Sequence, residues 1–244
     1  MNERTPFYII TTIFLFITIV LSLITTFHLN NNGADFFPNP GIYKGKFIHD
    51  NNFMDKLCWY FSQITHHTLF FLFSYFSMAL FNYKSVKFFK MVGPLALTIS
   101  VLYFYFLYPR QKLKIHQLSF YNFFSHFMII FLVFCEFMYI DKYEFHETTN
   151  CFIFLITSIL SILINYCLRG VWSYDLVKLD SLSGWKLISE TALIMYFFSL
   201  MFYILKYKNK PYYGMDNINL MGSAYPLYGL INIIYVLLII NYDK

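Results

Sequence analysis

LCWYFSQITHHTLFFLFSYFSMALF, running from Leu57 to Phe81, is the stretch on which the fold turns. It is long and apolar enough to cross a bilayer, since a spanning helix needs about 20 mostly apolar residues. Near its start, however, Ser62, Gln63, Thr65, His66, His67 and Thr68 crowd into one run. Such groups are costly in hydrocarbon, so they face a bundle interior or a watery cavity and mark a functional site by default. On a continuous helix Ser62, Thr65 and His66 share one face at i, i+3 and i+4, while Gln63 and His67 pair one turn apart about 100° away. This polar face is expected to take part in whatever the protein does.

Of the 244 residues, 58% are hydrophobic and only 13% charged, with a mean hydropathy of +0.52. A soluble domain carries about 25% charged residues. The composition therefore predicts an all-α, polytopic transmembrane helix bundle, an integral multi-pass protein of the cell membrane, with no room for a separate soluble domain. Loop lysines give a net charge of +5. That charge suits anionic headgroups, so membrane lipids are the expected partners, and nothing points to nucleic acid. Cys58, Cys135, Cys151 and Cys167 lack C-x-x-C spacing, which speaks against a disulfide framework or a zinc site.

Hydropathy divides the chain into six or seven spans forming one domain, at about 6–27, 57–81, 91–108, 121–140, 150–168, 187–205 and 225–242. The first is too long for a signal core of about 7–15 residues and lacks a small-residue cleavage site, so it reads as an uncleaved anchor. Lys84, Lys87 and Lys90 read as a basic connection that sets topology. Pro94 then falls in a first helical turn, where it is tolerated. The fourth span carries Asn122, His126 and Glu136. Asn122 and His126, four residues apart, share a helix face. Glu136 lies ten residues beyond His126, about 15 Å along the axis, too far to orient that ring. His28, His49, His116 and His146 are expected in solvated loops, and Tyr103 to Phe106 as packing aromatics.

Three blocks carry a resemblance. Tyr60, Phe61 and Ser62 are followed by Thr65 and His66; Asn122 to His126 has the form N-x-x-x-H; and LMFYILKYK at 200–208 precedes AYPLYGLINIIY at 224–235. In the same order, these are similar to blocks of the androgen-induced family of membrane hydrolases and of its bacterial integral-membrane relatives. The resemblance implies a bundle in which a membrane threonine and a histidine cleave fatty acid esters of hydroxy fatty acids. By position, Ser62 stands at the nucleophilic threonine and His126 at the histidine. The chain departs from the family pattern with Ser at 62, with His66 for the usual Asn, and with an inserted segment over residues 150–190.

Three functional readings follow. In the first, a lipid ester hydrolase, Ser62 is the nucleophile with Thr65 as the alternate. His126 is the base, since a hydroxyl needs a base within hydrogen-bond reach and neutral imidazole suits that task. His66, His67, Gln63 and Asn122 complete a polar cluster around the substrate. The second gathers His66, His67 and His126 around a metal or haem. Adjacent histidines diverge by about 100° on a helix, so only one can share a centre with His126, and no cofactor or metal is expected. In the third, a small transporter, lipid-binding protein or assembly factor, the cluster is an interhelical hydrogen-bond network.

Overall fold

In a computed structural model, residues 4–29, 47–48, 52–83, 85–107, 123–140, 143–174 and 177–207 are described, and they form helices with no strand among them. The first helix, α1 (Thr5–His28), has Pro6 in its first turn, where the missing N–H was unpaired anyway. Tyr8, Thr11, Leu15, Thr18, Ser22 and Thr26 form its buried stripe, while Ile10, Ile13 and Phe16 face outward. The inward hydroxyls of Thr18, Ser22 and Thr26 bond carbonyls of the preceding turn, so they enter an apolar core without an unmet donor. His28, expected in a loop, ends α1 with Nδ1 2.8 Å from Ile24 O.

The stretch expected as one helix over 57–81 is two. α2 (Phe53–Phe61) starts on the Asn52 side chain, which accepts from the amides of Met54 and Asp55. α3 (Ile64–Leu80) follows after Ser62 and an extended Gln63 at φ −86°, ψ 120°. This corrects the helical-face argument: Ser62 lies before the break and does not share a face with Thr65 and His66.

α4 (Val86–Leu102) begins five residues earlier than expected, because the Ser85 hydroxyl accepts from the Phe88 amide. Two expectations change as a result. Lys90 is not in a basic loop; it is buried and ion-paired with Glu147 of the 3-10 turn Phe145–Thr149. Pro94 is not in a first turn but well inside the helix. A proline there cannot donate to the carbonyl four residues back. That carbonyl is Lys90 O, and the Tyr143 hydroxyl donates to it over 3.1 Å. Every residue from Val92 to Ser100 is buried, so α4 is the central helix, and the hydroxyls of Thr98 and Ser100 are satisfied by its own carbonyls, Pro94 O and Ala96 O.

A π-helical turn, Tyr103–Leu107, extends α4, and another, Phe124–Met128, leads into α5 (Ile129–Met138). α6 (Phe152–Arg169) ends at Gly170, whose φ of +67° closes the helix in the left-handed region. α7 (Leu182–Tyr207) starts before the expected 187, so the sixth span is a full-length helix. Among the described residues four helices are long and apolar enough to cross a membrane: Thr5–His28, Val86–Tyr105, Phe145–Arg169 and Leu182–Lys206. The Phe124–Met138 helix is shorter, α2 and α3 are separated by the break, and the span expected over 225–242 lies outside the described residues. The chain is thus an all-α bundle with the character of a membrane protein.

α1 packs along α3, and α4 packs against α3, α5, α6 and α7. The second and fourth expected spans meet where Tyr75 of α3 donates to the buried Glu136 of α5 over 2.6 Å, with the Tyr8 hydroxyl of α1 at 3.4 Å.

Candidate functional site

At the break between α2 and α3 the helix ends on tightened bonds, with Trp59 O accepting from the Ser62 amide and Tyr60 O from the Gln63 amide, both at 3.2 Å. The polar run adds side-chain donors to these last carbonyls. His66 Nδ1 lies 2.8 Å from Tyr60 O, and His67 Nε2 bonds Phe61 O, to which Ser161 of α6 also donates at 3.0 Å. A carbonyl only accepts, so each of these ring nitrogens carries the proton. The Ser62 hydroxyl donates to Trp59 O at 2.7 Å, with Gln63 Nε2 3.4 Å from the same oxygen. The His66 ring also stacks on Tyr60, centroids 3.8 Å apart, and the Tyr60 hydroxyl pairs with Ser22 at 2.8 Å.

A second network clamps the break from α6. Arg169 pairs with Asp55 at 2.6 Å, both side chains about 5% exposed or less, and its guanidinium also donates to Asn165 Oδ1. Asn165 Nδ2 donates to Ser173 over 2.9 Å, and Ser173 donates to Ser62. Ser62 thus accepts one hydrogen bond and donates another, both within the repair of the break.

One turn into α3 the surroundings change. A cavity of about 90 Å³ opens between the start of α3, the end of α4, the middle of α6 and the first half of α7. Its walls are mostly aliphatic, among them Ile99, Leu102, Leu155, Ile159, Ile162 and Ile188, and its polar residues are Thr65, Tyr103, His126, Ser158, Tyr174 and Thr191. His126 is 3% exposed and stacks flat on Tyr103, centroids 3.8 Å and planes 4° apart. Both rings belong to π-helical turns, a local widening that recurs at functional sites. Among the described residues His126 Nδ1 has no hydrogen-bond partner. Tyr174 enters from the loop after α6; its oxygen accepts from the Ile64 amide at 2.9 Å. Burial pushes this phenol above its ordinary value of 10, although the Ile64 amide pulls the other way, so it stays neutral.

The expected site residues therefore part company. Ser62, Gln63, His66 and His67 gather at the break, Thr65 and His126 share the cavity, and Asn122 lies outside the described residues. Tyr174, Ser158 and Thr191 escape a reading by spacing, because they come from a loop and two helices remote from 57–81. Tyr103 was legible as an aromatic, but its stacking partner was not. No three His, Cys, Asp or Glu side chains converge as a metal site among the described residues.

The fold and cavity define a class, a polytopic α-helical membrane protein with a small, largely apolar chamber inside its bundle. Comparison of the chain with protein-family models, with curated proteins and with solved structures finds no match.

Proposed function

We propose that the chamber is the reaction site of a lipid ester hydrolase, with Thr65 as the nucleophile and His126 as the general base. The observation that carries this reading is the presence, on one apolar cavity, of a threonine and a buried imidazole whose Nδ1 has no hydrogen-bond partner among the described residues. His126 accepts the Thr65 proton as the hydroxyl attacks the ester carbonyl, then returns it to the departing alcohol; water repeats the cycle on the acyl-threonine. The aliphatic walls favour an acyl chain over a polar substrate. Ser62, which matches the resembling family's threonine by position, is the weaker nucleophile here because both its hydrogen bonds serve the break.

The test is turnover of a panel of fatty acyl esters by the protein in lipid nanodiscs. Thr65→Ala and His126→Ala are expected to lower kcat by about 10²–10⁴-fold, with Ser62→Ala close to the parent. Turnover that survives both substitutions, or none with any ester, would sink the hydrolase reading.

A further inference from the structure

Several hydroxyls inside this bundle are satisfied on their own helix. Thr98 donates to Pro94 O, Ser100 to Ala96 O and Thr191 to Leu187 O, each one turn back. Thr157 of α6 does the same, to Ile153 O at 2.9 Å. Its neighbour Ser158 does not. Among the described residues the hydrogen-bond partner of Ser158 Oγ is His67 Nδ1 of α3, at 3.3 Å.

The direction of that bond follows from the other side of the ring. His67 Nε2 bonds Phe61 O, and a carbonyl only accepts, so Nε2 carries the proton. In the neutral imidazole Nδ1 is then the acceptor, and Ser158 is the donor. Ser161, three residues further along α6, donates to the same carbonyl at 3.0 Å, with its Oγ 3.4 Å from Nε2. Hydroxyl, imidazole and carbonyl thus stand in the order that activates a nucleophile, with the base beside the hydroxyl and itself oriented by a third group. The separation of 3.3 Å is slightly longer than the about 2.6–3.2 Å of a tight pair. Ser158 is buried on the wall of the chamber. Its oxygen accepts no hydrogen bond among the described residues, which leaves its lone pairs for an electrophile.

We propose that Ser158 is a second nucleophile of the chamber, activated by His67, and that it takes the acyl group of a fatty acyl ester. Ser158 Oγ bonds to the ester carbonyl carbon while its proton passes to His67 Nδ1. The imidazolium keeps its Nε2–H on Phe61 O. The carbon–oxygen bond to the alcohol then breaks, and the alkoxide leaves with the Nδ1 proton. Ester and serine become acyl-serine and alcohol, with no other reactant. This step shares its substrate class with the hydrolase reading but needs neither Thr65 nor His126. Its product is one acyl group per chain, so the two fail separately.

The experiment is labelling of the full chain in lipid nanodiscs with a long-chain alkyl fluorophosphonate, which captures activated hydroxyls, and location of the adduct by peptide mass spectrometry. An adduct on Ser158 is expected, lost when the protein is heat-denatured before labelling. An adduct on Thr65 alone overturns the proposal and leaves the hydrolase reading standing. Absence of any adduct, or one on another residue only, overturns it too. An adduct on Ser158 in a protein that turns over no ester supports the proposal while the hydrolase reading falls. His67→Gln separates chemistry from packing, because the glutamine oxygen still accepts from Ser158 but cannot take its proton at neutral pH. Labelling of Ser158 in that variant is expected to slow by about 10²-fold or more. An unchanged rate would make the contact a hydrogen bond between helices and overturn the proposal. If His67→Gln does not fold, the position of the adduct in the unaltered protein decides.

Discussion

Two helices of this bundle are interrupted, and they are repaired differently. At Ser62–Gln63 the carbonyls of Trp59, Tyr60 and Phe61 are met by Ser62, Gln63, His66 and His67 from within the same short stretch, with help from Ser161. At Pro94 a single carbonyl, Lys90 O, is met by Tyr143 from fifty-three residues away. A proline removes one donor and leaves the helix axis running, whereas a full break makes a new helix N-terminus inside the bundle. Only the full break places a helix N-terminus on the wall of the chamber. The same polar run that signalled a site thus serves mainly to make the neighbouring site structurally affordable.

The largest effect should come from the clamp that holds the break closed. Asp55→Ala or Arg169→Ala leaves one buried charge of the pair without its partner, and such losses cost about 3–5 kcal/mol. Denaturant titration in mixed micelles measures it, and replacing both residues together should recover part of the loss. A cost below about 1 kcal/mol for either single change would mean that α6 does not clamp the break. Next in size is His66→Ala, which removes the side-chain donor to Tyr60 O but leaves the Gln63 amide on it, and should cost about 1–1.5 kcal/mol. If the broken helix matters only for packing, the same protein should keep its turnover of acyl esters; if the break shapes the chamber, both should fall together.

The membrane character, the all-α fold and the importance of the 62–68 run were legible because hydropathy and polar density are local properties. The break was not legible, for a physical reason: Ser62 and Gln63 carry neither the ring of proline nor the freedom of glycine. Their side chains read equally well as one face of an unbroken helix. Lys90 and Glu147 each looked like a loop charge, since pairing depends on which helix ends converge and not on their own neighbourhoods. Pro94 was seen but misplaced, because Ser85 starts α4 five residues early. Of the site, His126 and Thr65 were both picked out by residue type and spacing. Their chamber, made by α6, α7 and the Tyr174 loop, depends on packing that no local pattern records.

The smallest prediction probes the proline side of the comparison. Tyr143 donates to Lys90 O and pairs with Ser199 Oγ at 2.8 Å, joining α4 to α7 through one phenol. Tyr143→Phe should therefore cost about 1 kcal/mol in unfolding free energy. Pro94→Ala gives the backbone an N–H that reaches Lys90 O by the ordinary i to i−4 bond. In the Pro94→Ala background the Tyr143→Phe substitution should then cost only the Ser199 bond. The double-mutant cycle isolates that difference, because residues sharing a hydrogen-bond partner show coupling of about 0.5 kcal/mol or more. A cycle that closes to zero would mean that Tyr143 is held by Ser199 alone, and the missing proline donor would then be tolerated without repair. The two interruptions would differ more deeply in that case: a lone carbonyl could be left unpaired in the core of the bundle, while the carbonyls at Ser62–Gln63 draw side-chain donors from the polar run in addition to the Ser62 and Gln63 amides.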